Sequence, residues 1–284
     1  MNTAERLALK AKENGLHLFS VAYEGKDGKE KACVFPANPC NNSYSVAKAF
    51  IVTAIGLLWE AGKIRPEDKV TELLERHLPS RIDPRYKDVT VEHLLTHKAG
   101  YDRGFLDIDA EDITKYPDDD FIKLALSEPI VHTPGTHFCY TDAAFYLLSV
   151  IVTELSGKRA DDFLRPVLFE KLGFHEMAWG TCPRGYTIGA TGLFLRTEDM
   201  VKLGSVYAND GMYGEERILS PEWVELVLSR GYEFHRVEDT DLYAKGGMRG
   251  QMLCFSRKRR FACAWHGDET RDTRSAFAGL LREL

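Results

Sequence analysis

Hydrophobic positions along the chain recur in two ways: in short β-rich runs near both termini, and at a spacing of about 3.6 residues through the middle. Residues 16–23 and 30–35 are apolar, β-branched and aromatic runs on either side of Gly25-Lys26-Asp27-Gly28, a hairpin signal. Three more such runs, 242–247, 251–256 and 261–266, lie near the C-terminus, the last two joined across a turn containing Arg257, Lys258 and Arg259. Helical periodicity predicts helices over 46–61, 91–97, 142–156, 160–172, 197–208 and 221–228. An amphipathic surface helix is expected within 1–15 and a last helix over 269–284. Five strands split between the two ends predict an α/β (α+β) fold: one five-stranded antiparallel sheet closed by both termini and flanked by N- and C-terminal helices. The expected division is a discontinuous sheet domain, 1–62 and 229–284, with a mostly helical domain, 63–228, inserted into it. A ligand site is expected where the two meet.

Composition narrows the classes of partner. Hydrophobic residues make up 44% of the 284 positions, charged residues 28% and aromatic residues 11%, ordinary values that exclude disordered and collagen-like chains. The formal charge is −6, and the dense basic run 257–260 is short and falls in a hairpin turn, so nucleic acid is not an expected partner. The longest apolar stretch, 47–59, contains Lys48 and falls short of the roughly 18 residues a membrane span requires, so no membrane partner is expected either. Residues 1–15 interleave Glu5, Arg6, Lys10, Lys12 and Glu13 with apolar positions and lack the uninterrupted core of a secretory signal, which predicts a cytoplasmic protein. The six cysteines contain no C-x-x-C pair and are expected to be free thiols.

Candidate chemistry begins at Ser45-Val46-Ala47-Lys48, the one S-x-x-K of the chain, placed at the start of a strongly apolar helix. Residues three apart share a helix face, and the helix N-terminus favours developing negative charge. Lys48 sits within Val-Ala-Lys-Ala-Phe-Ile-Val, an awkward setting for a surface lysine. A serine hydroxyl needs a neighbouring base, and a lysine serves only when desolvated or close to another cation, so the site requires a second positive group.

Ser45-x-x-Lys48, Tyr140-Thr141-Asp142 after Pro134-Gly135, and Lys245-Gly246-Gly247 on a late strand resemble, in order and spacing, the three motifs of the class C β-lactamase, D-alanyl-D-alanine carboxypeptidase and esterase family. The likeness runs over residues 41–251 and includes connecting segments such as 93–100 and 191–199. The resemblance implies a β-lactamase/penicillin-binding-protein-like fold with Ser45 as nucleophile, Lys48 assisting its deprotonation, Tyr140 shuttling the proton and Lys245 as the second cation. It further implies an oxyanion hole of the Ser45 and Met248 backbone amides, and a substrate-facing strand edge in which Gly246 and Gly247 allow close approach. Two departures stand out. Asp142 replaces the usual asparagine, and an anionic side chain there favours charged lysines and repels an acyl amide carbonyl. Gly246 replaces a hydroxyl residue that binds a carboxylate, a contact that Arg249 is a candidate to supply.

The expected function is hydrolysis of a small ester, amide or lactam through a Ser45 acyl-enzyme, without metal or other cofactor, and with esterase-like activity preferred. β-Lactamase or D-amino-acid peptidase activity is the alternative within this class, and a non-catalytic acyl-binding, penicillin-binding or regulatory protein the alternative outside it. His93 and His97 stand four apart, a metal-ligand spacing, but no further ligand is placed by the sequence and both are read as structural. Cys139 reads as a small buried residue, and the acidic stretch 107–120 as a solvated loop and helix with a lid as its functional alternative. The sequence leaves the oligomeric state open.

Overall fold

The computed structural model describes residues 1–35, 38–269 and Leu280. In chain order the strands are β1 (Leu18–Gly25), β2 (Gly28–Cys33), β3 (Cys40–Asn42), β4 (Met177–Trp179), β5 (Leu193–Arg196), β6 (Met212–Tyr213), β7 (Glu216–Arg217), β8 (His235–Arg236), β9 (Tyr243–Gly247), β10 (Gln251–Ser256) and β11 (Phe261–Gly267). The helices are α1 (Thr3–Glu13), α2 (Ala47–Glu60), α3 (Val70–Leu73), α4 (Val91–Leu95), α5 (Phe121–Ser127), α6 (Asp142–Ser156), α7 (Ala160–Leu164), α8 (Thr197–Ala208) and α9 (Pro221–Arg230).

The main sheet is antiparallel with order β2-β1-β11-β10-β9-β8. Its five long strands are those the hydrophobic runs predicted, and β8 adds a short sixth at the edge. The first and last of the long strands are neighbours: β1 pairs with β11 through Val21↔Trp265 and Tyr23↔Cys263, so both ends of the chain close one sheet. Side chains alternate between two apolar layers, as the pleat demands. Val21, Cys254, Cys263 and Trp265 join α1 residues Ala4, Leu7 and Ala11, and Leu280, on one face. Ala22, Leu253, Phe255, Ala262 and Ala264 face the opposite layer with α8 residues Leu203 and Val206. The expected helix over 269–284 lies outside the described residues except for Glu269 and Leu280; Leu280 is buried in the α1 layer.

Helix α2 is buried on every side from Ala47 to Gly56, which places it inside the molecule rather than on its surface. It packs against α6, another helix with an almost wholly buried first three turns. The segment expected to be helical also holds β4 and β5, which form a small sheet, β3-β5-β4, with β3 from just before α2. Its strands are only three or four residues long, too short for their alternation to show above the surrounding helical period. The helix expected over 160–172 ends early: α7 passes at Arg165 into a wider π turn, Arg165–Phe169, because Pro166 has no N–H to continue the α ladder.

Candidate active site

Strand β3 leads directly into the nucleophile turn. Ser43 N–H donates to Leu193 O on β5 at 2.8 Å, Tyr44 takes a left-handed φ of 47°, and Tyr44–Val46 form a 3₁₀ turn continuous with α2. Ser45, half-buried, therefore sits at the N-terminal end of the most deeply buried helix. Lys48 follows one turn later and is 0% exposed. Its ammonium has three acceptors: Ser45 Oγ at 3.0 Å, Ala190 O at 2.9 Å and Asp142 Oδ1 at 2.7 Å. Burial, the largest influence, works to lower the Lys48 pKa, but Asp142, then Tyr140 and Glu233, outweigh it and hold the group above the ordinary lysine value. Lysine and carboxylate are buried as an ion pair. The same three contacts suit a neutral amine, which donates its two hydrogens to Ala190 O and Asp142 and turns its lone pair to Ser45 Oγ.

Asp142 opens α6, whose N-cap is Thr141 with Oγ1 accepting from Ala143 N–H at 3.3 Å. The helix N-terminus steadies a carboxylate there. Tyr140, two residues earlier, is 42% exposed and lies between two cations. Lys245 Nζ donates to its hydroxyl at 3.3 Å and stands 5.2 Å from the ring centre, and Lys48 Nζ is 4.9 Å from the same centre. Ser45, Lys48, Tyr140, Asp142 and Lys245, dispersed over two hundred residues, thus meet at one place.

Reasoning from the sequence missed Glu233. It is 2% exposed, lies between α9 and β8, and forms an ion pair with Lys245 through Oε2 while Oε1 meets His97 Nε2 at 2.7 Å. Burial works to raise its pKa, but Lys245, then His97, overcome this and hold the carboxyl below its usual range. No motif marks it in the sequence; the one available hint is an acidic residue within the otherwise apolar Tyr232–Phe234 neighbourhood, and that pattern is common.

Gly247 is required by packing. A Cβ there would lie 2.5 Å from Ser43 O and 3.3 Å from Ser45 N, so the bare backbone lets the end of β9 close onto the nucleophile turn. Gly246 differs: the nearest protein atoms to a Cβ there are 3.7 Å away, so packing within the protein does not itself require a glycine at that position. Strand β8 pairs only with Tyr243 and Ala244, which leaves the edge of β9 at Lys245, Gly246 and Gly247 without a strand partner among the described residues. Arg249 is committed elsewhere, its Nη1 lying 2.6 Å from Asp268 Oδ1.

His93 and His97 do not converge. His93 belongs to the cap of α4, where its Nδ1 accepts from Thr90 N–H at 3.2 Å, whereas His97 faces Glu233 and the Tyr140 ring. Burial, then Asp102, pushes the Cys139 thiol up, away from an activated nucleophile. The acidic stretch forms a wall of the site: Asp109 accepts from Thr191 Oγ1, and carboxylate oxygens of Asp107, Asp109 and Asp142 lie within 4.8 Å of one another. Burial raises the pKa of Asp107 and of Asp109, with Asp142 adding to both. These three carry the donor chemistry of a hard cation, although Asp142 is already taken by Lys48. Among the described residues no helix is long and apolar enough to cross a membrane.

A family model described as Beta-lactamase matches residues 42–266. Penicillin-binding protein 4 of Amycolatopsis lactamdurans is 30% identical over 135 residues, covering 47% of this chain and 34% of the relative. Matches to the curated relatives span about a third of their own length. Among solved structures, EstCE1, described as a hydrolase with promiscuous acyltransferase activity, superimposes with a TM-score of 0.75 at 14% identity, covering 99% of this chain and 96% of that one. A penicillin-binding protein from Bacillus halodurans gives a TM-score of 0.71 at 18% identity, over 98% of this chain and 100% of that one. At these identities the superpositions show a shared fold.

Proposed function

This chain belongs to the Beta-lactamase family, and from that premise we propose that it is a serine hydrolase that cleaves a small ester through an acyl-enzyme on Ser45. The observation that carries the reading is the contact of Lys48 Nζ with Ser45 Oγ at 3.0 Å, inside a helix where Lys48 has no access to water. Ser45 Oγ attacks the acyl carbonyl while its proton passes to neutral Lys48, or to Tyr140 where that residue is the phenolate. The oxyanion is received by the Ser45 and Met248 amides, and Tyr140, held by Lys245, returns the proton to the departing alkoxide. Water then repeats the sequence against the acyl-enzyme. Met248, Gly246 and Gly247 line the approach along the β9 edge, and Arg249 would bind substrate only by leaving Asp268.

An ester is preferred to a lactam or peptide because Asp142 occupies the position from which an asparagine amide donates to an acyl amide carbonyl. A carboxylate repels that oxygen and keeps Lys48 charged. Mixing the protein with p-nitrophenyl butyrate, following nitrophenolate release and protein mass together, tests the proposal. A burst, an added butyryl group and steady turnover are expected, all absent in Ser45→Ala. Equal turnover by wild type and Ser45→Ala would sink it. The Lys48–Asp142 ion pair also favours a second reading, a protein that is acylated on Ser45 without release, which predicts the mass shift with no steady phase. Nitrocefin turnover dependent on Ser45 would move the assignment to β-lactamase.

A further inference from the structure

Glu233 stands outside the three motifs, yet both of its carboxylate oxygens are spent on groups that touch Tyr140. Oε2 pairs with Lys245, whose Nζ also donates to the Tyr140 hydroxyl at 3.3 Å. Oε1 meets Nε2 of His97, and the His97 ring lies 4.4 Å from the Tyr140 ring centre. The histidine tautomer follows from its other nitrogen. His97 Nδ1 accepts from Thr141 N–H at 3.3 Å, so in the neutral ring the hydrogen sits on Nε2 and is donated to Glu233. One buried carboxylate thus joins the cation at the tyrosine hydroxyl to the ring against the tyrosine face. Its backbone is left-handed, φ 64°, a conformation unfavourable for a non-glycine residue.

We propose that Glu233 is a positioning residue that acts through Lys245 and His97 to fix Tyr140 against Ser45 and to offset the charge of Lys245. The inference rests on the acyl-enzyme reading above. A carboxylate this deep is costly to bury unless paired, and here both oxygens are paired with groups that touch Tyr140. The arrangement makes the site two matched ion pairs, Lys48 with Asp142 and Lys245 with Glu233, on either side of one tyrosine. The charged and titratable groups facing Glu233 are Lys245, His97, Lys48 and His235. Loss of its negative charge leaves Lys245 uncompensated beside Tyr140 and removes an influence that raises Lys48. The second change lets Lys48, the proton acceptor for Ser45, lose its proton at lower pH.

The test uses Glu233→Gln, whose amide oxygen still accepts from His97. Rates of Ser45 labelling by a fluorophosphonate ester are measured from pH 5 to 10 for wild type and variant, with near-ultraviolet circular dichroism as a check on packing. The acidic limb of the variant is expected to move down by roughly one pH unit. A merely structural role lowers the rate evenly and leaves the limb in place, and that result overturns the proposal while leaving the acyl-enzyme reading intact. Should Glu233→Gln not fold, the double variant Glu233→Gln, Lys245→Met is compared with it. Recovery of a cooperative melt on removing the second charge supports the pairing, and no recovery overturns it. Absence of Ser45 labelling in wild type overturns the acyl-enzyme reading and this inference together.

Discussion

Replacing Asp142 by asparagine isolates the feature that most sets this site apart. The Lys48 ammonium and the Asp142 carboxylate are 2.7 Å apart and both buried. At an effective dielectric constant of about 20 their bare attraction is about 6 kcal/mol, part of which is taken back by the several kcal/mol that each buried ion costs. An opposite charge at such range typically moves a pKa by about 1–3 units. Asparagine keeps the shape and one acceptor oxygen but no charge, so Lys48 in Asp142→Asn should lose its proton about 1–3 pH units sooner. Below the pKa each unit multiplies the neutral fraction by about ten, since one unit corresponds to about 1.4 kcal/mol. Where the proton of Ser45 passes to Lys48, acylation at pH 7 should therefore rise between about tenfold and a thousandfold, with the acidic limb displaced to lower pH. The assay is stopped-flow acylation by p-nitrophenyl butyrate from pH 5 to 10, read as the burst rate. A burst rate that falls at every pH, with the limb unmoved, would refute the reasoning and give Asp142 a part in the proton transfer itself. Stability carries an independent sign. The folded-state pKa of Lys48 is raised, so the contribution of the pair is fully present below the unfolded value of about 10.4 and is lost as pH climbs through the folded value.

The two glycines of the third motif should separate cleanly. Gly247→Ala, whose Cβ would meet Ser43 O at 2.5 Å, should lower the melting temperature by several degrees, equivalent to about 1–3 kcal/mol, and slow acylation at least tenfold, whereas Gly246→Ala, with 3.7 Å of clearance, should change neither appreciably; equal effects at the two positions would contradict the packing argument. Gly56→Ala should cost a similar amount in a urea melt without altering active-site chemistry, because its Cβ would fall 2.2 Å from Nε1 of the buried Trp223. His266 is wholly buried, its Nδ1–H donating to Gln251 Oε1 at 2.8 Å, and burial lowers its pKa to about 4. A depressed folded pKa means that this contribution is complete above the unfolded value near 6.5 and is lost as pH falls toward 4, so up to about 3 kcal/mol should disappear over that interval, and urea melts of His266→Gln should lack that part of the acid-side slope.

The long elements and the reactive motifs were legible because each is a local pattern. Helices α6 and α8 coincide with the periodic segments 142–156 and 197–208, since an apolar stripe and its caps lie within a dozen residues. Ser45 and Lys48 share a helix face by spacing alone. The order and spacing of the three motifs likewise fixed the family resemblance. Tertiary structure decided everything that depends on residues distant in sequence. Whether Asp142 would point at Lys48 or away from it depended on how α6 packs against α2. Glu233 gained meaning only when the turn before β8 brought it between Lys245 and His97, residues 12 and 136 positions away, a convergence that no local period encodes. Strands β3, β4 and β5 are too short to be stable or visible alone, and they exist because backbone pairing with one another satisfies polar groups that the packed helices would otherwise strand. The sequence by itself thus determined which chemical groups are present and which lie on a common helix face. The packing of α2, α6 and β9 against one another decided their charges, because burial and opposite-charge partners, both set at a distance, govern whether a lysine can act as a base.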